Sequence, residues 1–125
     1  PSDAPALLGL HQLGHAATWV LADPAQHVAL EGYAGSVSFS GDQTCVGITS
    51  PRGGLIQVFS VADGTSNWTS TSPDASGLSR HAASGFCFTN GTGAFGHVDA
   101  EGVLAGVQIH DRAFDNHLVR IDVPG

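Results

Sequence analysis

The sequence predicts an all-β fold, and three observations carry that expectation. Seventeen glycines and six prolines in 125 residues leave no stretch with a sustained helical period. Between these breakers, short apolar runs alternate with serine and threonine at period two, as strands do. The third observation is an internal echo: Gly85-Phe86-Cys87-Phe88-Thr89 matches Cys45-Val46-Gly47-Ile48-Thr49 at an offset of 40 residues. Repeats of about 40–45 residues holding four short strands are the mark of propeller blades. The expected architecture is a β-propeller segment of WD40-like, four-stranded blades, about two blades plus a partial third.

The elements follow in order. Leu7–Leu13 and Ala16–Leu21 read as two short strands broken at Gly14. Asp23-Pro24-Ala25-Gln26 is a helix start, with Asp23 as cap, Pro24 in the first helical position and Gln26 at capping-box spacing. Gly32 is a stop, so a helix of about two turns, Pro24–Glu31, is expected. Residues 1–34 thus form a partial blade and a short helix. From Gly35 the period becomes two. Val37 and Phe39 alternate with serines, Gly41-Asp42 turns the chain, and Thr44–Thr49 places Val46 and Ile48 on one face. Ser50-Pro51-Arg52-Gly53-Gly54 is the next turn, Leu55–Val61 the next strand, and the polar Thr65–Thr71 an outer edge. That makes residues 35–72 one blade. Residues 75–123 repeat it: Asn90-Gly91-Thr92-Gly93 stands for the Pro51 turn, Ala94–Asp99 for the third strand, and a closing strand ends the segment. Val37, Phe39, Val46, Ile48, Ile56, Val58, Phe86 and Phe88 are the expected core.

Composition removes several function classes. The chain is 42% apolar and only 12% charged, which excludes a disordered polyampholyte. No apolar run reaches the ~18–20 residues of a spanning helix, so membrane insertion is not expected. Four arginines and no lysine against 11 acids give a formal charge of −7. Nucleic-acid binding needs clustered cations that displace counterions, and this chain has none. Small molecules, metal cations and other proteins remain as partners.

One resemblance is specific. Gly32-Tyr33-Ala34-Gly35-Ser36-Val37, then Thr49-Ser50-Pro51-Arg52-Gly53-Gly54 and Val58-Phe59, resemble an uncharacterised family of bacterial exported β-propellers that carry a domain of unknown function. That family is encoded beside imelysin-type iron-uptake lipoproteins. Phe114-Asp115-Asn116-His117-Leu118-Val119 looks like its closing segment, with Phe114 where the family usually has Trp. The resemblance covers residues ~30–123 and corresponds to the family's C-terminal third, since a seven-bladed ring needs roughly 300 residues. It implies export to the periplasm, an iron-uptake setting, and a ring completed either by missing N-terminal blades or by further copies of the chain. The absence of Met makes Pro1 read as a processed or cloned start, or as the visible part of something longer.

Candidate chemistry is sparse. Arg52 is the only cation of its blade and sits at a hairpin tip, where a guanidinium can hold a carboxylate or phosphate bidentately. Asn116 joins it as a candidate binding residue. Asp115 and His117, with Asp111 and Asn116 nearby, supply an oxygen and nitrogen set suited to iron or zinc, or else form a structural turn. His81, His97, His110 and His117 fall near strand ends. His11 and His15 lie ~13 Å apart if on a strand, too far to share an ion. Cys45 and Cys87 occupy matched strands of adjacent blades, either as a disulfide or as separate buried thiols. No serine has a nucleophile-elbow context and no carboxylate pair can be named, so no catalytic residue is assigned. The expected function is a non-catalytic binding or scaffold protein of an exported, iron-uptake-associated system. The alternatives are a propeller enzyme with a metal or redox centre, and a self-contained β-sandwich binding module.

Overall fold

The computed structural model describes residues 5–20 and 24–124. Ten strands and one helix occur among them: β1 Leu8–Leu10, β2 Thr18–Val20, α1 Pro24–Ala29, β3 Val37–Phe39, β4 Cys45–Ser50, β5 Leu55–Ser60, β6 Ser66–Thr71, β7 Ala75–His81, β8 Gly85–Asn90, β9 Ala94–Val98 and β10 Leu104–Ile109. Strands β3 to β6 form one antiparallel four-stranded meander, and β7 to β10 form a second. Each sheet is complete before the next begins, in simple chain order, so the architecture is two propeller blades and not a sandwich. The matched segments fall as expected: β4 and β8 are the second strands of neighbouring blades, each bonded to the first and third.

Both faces of the first blade are apolar. Register puts Val46 opposite Phe59 and Ile48 opposite Gln57 on one face, and Gly47 opposite Val58 and Thr49 opposite Ile56 on the other. The second face meets the second blade, where Ile56, Val58, Ala75, Leu78, Phe86, Phe88 and Val98 form one buried cluster. Gly47 leaves room there for Leu78 and the Phe86 ring. Thr49 ties the blades at this interface. Its buried hydroxyl donates to the Ser76 carbonyl at 2.7 Å and accepts from the Ser36 amide at 3.0 Å. At the outer edge, Trp68 meets Phe86 edge-on and lies against Gly102, and the Ser70 hydroxyl donates to the Gly102 carbonyl. Gly102 has φ 83 and faces the indole, so any side chain there meets both a strained backbone and a ring.

The first face is covered by the β1–β2 ribbon and α1, with Leu8, Leu30, Val46, Ile48, Leu55 and Phe59 as the buried cluster. The helix is shorter than Pro24–Glu31. Its last turn tightens into bonds from Leu30 to His27 and Glu31 to Val28, then Glu31 turns left-handed at φ 51. Asp23, the expected cap, lies outside the described residues, as does the Leu21 end of the second expected strand. The ribbon is also shorter than Leu7–Leu13, because His11 to Ala17 form a turn in which the His15 amide donates to the Gln12 carbonyl.

Two expected core residues are exposed. Val37 is 62% and Phe39 51% accessible, although register places them on the same face as Ile48 and Val46. The ribbon and helix reach the middle of that face and stop short of its inner strand. The other six expected core residues are buried. The expected closing strand is not one: residues 110–124 make no ladder, and His117 takes φ 72, a left-handed conformation that ends extended structure. Cys45 and Cys87 do not approach. Cys45 borders the interblade cluster, whereas Cys87 lies on the far face of the second blade, and both thiols are free.

The turns at Asp42, Asp63, Asn90 and Asp99 share one device, an acid or amide accepting from the chain two residues on. Asp42 accepts from the Thr44 amide at 3.0 Å, the Thr44 hydroxyl at 2.8 Å and the Ser40 hydroxyl at 2.8 Å. Asp63 does the same with Thr65. The Thr44 amide, then the two hydroxyls, hold the Asp42 carboxyl below the ordinary carboxylate value, and Thr65 does so for Asp63.

Two outcomes test this architecture. Phe88→Ala empties a site that is 1% accessible and lowers unfolding free energy by about 3–5 kcal/mol in denaturant titration. The folded-state carboxyls of Asp42 and Asp63 titrate below their unfolded values, so their stabilisation is complete above about pH 4 and lost as pH falls through the lowered values. The double variant D42N/D63N therefore shows a shallower loss of stability below about pH 4 when urea midpoints are measured against pH.

Candidate binding cleft at the hairpin tips

Stacking two blades brings their same-side hairpin tips together. The β4–β5 tip carries Pro51 and Arg52, the interblade connection carries Asp74, and the β8–β9 tip carries Gly91. With Tyr33, Phe114, Asp115 and Asn116 these line a cleft of about 620 Å³. Two of the sequence candidates, Arg52 and Asn116, thus line one cleft although they are 64 positions apart in the sequence.

Each wall is held by its own hydrogen bonds. Ser50 Oγ donates to the Leu30 carbonyl at 2.8 Å and accepts from the Gly53 amide at 3.1 Å, fixing the Arg52 turn on the end of α1. The Arg52 guanidinium lies over the Tyr33 ring, 5.1 Å from its centroid. Among the described residues the ion pairs are Arg80–Asp122 and Arg120–Asp122, and Arg52 has none. On the opposite wall, buried Asn90 organises the tip. Its Oδ1 accepts from the Thr92 amide, the Thr92 hydroxyl and the Ala94 amide, and its Nδ2 donates to Ser72 Oγ at 3.3 Å. The Asn90 carbonyl takes the Phe114 amide, and His110 meets the Phe114 ring edge-on, so the segment leaving β10 is tied across this tip. It then returns over the blade junction: Asn116 Oδ1 sits against Gly35 and Leu118 against Gly77.

Asp115 and His117 do not form the expected cluster. Asp115 lines the tip cleft, while left-handed His117 turns the chain into another cleft beside Leu7 and Val37. Among the described residues, no group of three or more metal-ligating side chains includes either residue. The group that does exist was missed by sequence reasoning: His81, Cys87 and His97, all half-buried on the far face of the second blade. The signal was present in the hairpin register, which sets His97 opposite Cys87 across the Asn90 turn.

The fold and cleft define a propeller-blade module. The chain belongs to a family of proteins of unknown function, DUF1513, whose model matches residues 1–121. Among solved structures it is similar to U3-55K, with TM-score 0.56 and 19% identity over 66% of this chain and 27% of that one. It is also similar to BamB from Moraxella catarrhalis, with TM-score 0.52 and 14% identity over 71% and 28%. These likenesses establish the propeller fold. The chain spans little more than a quarter of the length of either structure. No curated protein matches it by sequence.

Replacing Asn90 by Ala strands the donors of its tip. N90A lowers stability by about 1–3 kcal/mol in denaturant titration, whereas Asn90→Asp, which keeps the three acceptor contacts, loses less.

Proposed function

We propose that this chain is a non-catalytic binding and scaffold segment of a larger β-propeller, in an exported, iron-uptake-associated system. The observation that carries the binding role is the tip cleft. Its lining combines the Arg52 guanidinium, which lies over Tyr33 and outside the ion pairs of the described residues, with the side chains of Asp74, Asp115 and Asn116. The ligand class that suits it carries a carboxylate or phosphate for Arg52 and a positively charged group for the two acids, as a zwitterionic small molecule or a partner's loop does. Export and the link to iron rest on the resemblance of the Gly32–Val37 and Thr49–Gly54 runs. The scaffold role rests on the uncovered faces. Val37 and Phe39 on the first blade, and Val103, Val107 and Ile109 on the second, are exposed apolar side chains. Blades bury such faces against further blades, supplied by more polypeptide or by other copies.

Three measurements decide among these statements. Sedimentation of the isolated 125-residue chain gives concentration-dependent association, and a concentration-independent monomer with a cooperative melt overturns the need for neighbouring blades. NMR titration with inorganic phosphate shifts amides of 52–54 and 113–116, and Arg52→Ala removes those shifts. Shifts centred elsewhere, or unchanged by R52A, overturn the cleft assignment. In the source bacterium, fractionation finds the native protein in the periplasm, rising under iron limitation. A cytoplasmic, iron-indifferent protein overturns the setting without touching the cleft.

A further inference from the structure

The far face of the second blade carries three side chains with metal-ligating atoms at one point. Cys87 of β8 and His97 of β9 are directly opposite in the ladder. His81 ends β7, two positions along from Ser79, which is the partner of Cys87, so it points to the same face. One ligand atom from each of the three lies within 4.8 Å of the other two. The two imidazoles are stacked, with centroids 4.1 Å apart and planes 2° from parallel. All three positions sit on paired strands, so their Cβ atoms are fixed by the sheet and not by loop conformation. Gly106, at φ 59 in the irregular part of the β9–β10 pairing, presents only backbone to His97 Nδ1, 3.3 Å from where a Cβ would stand.

From this geometry we propose that His81, Cys87 and His97 bind a borderline-soft divalent cation of the zinc type through two imidazole nitrogens and one thiolate, independently of the tip cleft. Thiolate and imidazole together select zinc-like ions over the hard cations that carboxylates suit. Zn–N bonds of about 2.0–2.1 Å and a Zn–S bond of about 2.3 Å place tetrahedral ligand atoms roughly 3.3–3.6 Å apart. Atoms within 4.8 Å of one another therefore need to close by up to about 1 Å on binding. Binding releases the thiol proton to solvent and leaves a site of net charge +1. Arg120 faces the same point and shares the Asp122 carboxylate with Arg80, so one acid serves two guanidiniums beside the site. Three protein ligands leave the fourth position open. His81 and Cys87 border a cavity of about 450 Å³ that Arg80 and Arg120 also line, large enough for a water or a small anion as the fourth ligand.

Cobalt(II) titration of the full chain under reducing conditions tests the site. The expected result is one Co²⁺ per chain with thiolate-to-cobalt charge-transfer absorption and the intense d–d bands of a tetrahedral ion, displaced by one equivalent of Zn²⁺. Cys87→Ser removes the charge-transfer band. His81→Gln and His97→Gln each weaken binding by about tenfold or more, at least what losing an outer-shell partner costs. Cys45→Ser, which alters the other thiol, changes none of this. Absence of the charge-transfer band in the unmutated chain, its survival in C87S, or unchanged affinity in both histidine variants overturns the proposal. X-ray absorption of the zinc-loaded unmutated chain needs no variant to fold: one sulfur and two imidazole nitrogens support the site, and an all-oxygen or sulfur-free shell overturns it.

Discussion

A four-stranded sheet with apolar side chains on both faces has no side to turn to water. In the first blade Val46, Ile48 and Phe59 point one way and Ile56 and Val58 the other. Every larger feature of the molecule answers that constraint. The second blade covers one face, and the N-terminal ribbon with α1 covers the middle of the other. Where cover runs out, at Val37 and Phe39, apolar surface meets solvent. A repeat fold is held together by such nearest-neighbour interfaces, and each added blade completes the one before it.

The same stacking creates the site. Face-to-face packing is non-directional and does not by itself set how far one blade slides along the next. The Thr49 hydroxyl supplies that setting, because it spans from Ser36, at the entry to β3 of its own blade, to Ser76 in the first strand of the next. With the sheets fixed in this offset, the tips at Arg52 and Gly91 open toward a common space, and the segment after β10 closes its floor. The cleft is therefore a product of blade registration, built from residues that share no local sequence.

Much of this was legible in the sequence because it is periodic or punctuated. The Cys45–Thr49 and Gly85–Thr89 echo located the second strand of each blade, and Gly and Pro located the turns. Arg52 was legible as a lone cation at a tip. What was not legible depends on coverage and on three-dimensional proximity. Val37 and Phe39 have a core-like alternation, but nothing local records how far the ribbon reaches over them. Cys45 and Cys87 lie two positions apart in repeat register and so share the equivalent face of successive blades, which leaves the whole second sheet between them. His81, Cys87 and His97 have no motif spacing, since their meeting point is written in strand register alone.

Asn90 and Gly91 form the dipeptide most prone to spontaneous loss of side-chain ammonia. That reaction requires the glycine nitrogen to give up its proton and attack the asparagine side-chain carbonyl, closing a succinimide ring. Here the Gly91 amide is engaged with the Asp74 carbonyl at 3.1 Å, and four hydrogen bonds clamp the Asn90 carboxamide. Folding thus shields a chemically fragile bond. The slow conversion of asparagine to aspartate and isoaspartate becomes a clock that runs only while this blade is open, and the accumulated product in a stored sample records the time its chains have spent unfolded.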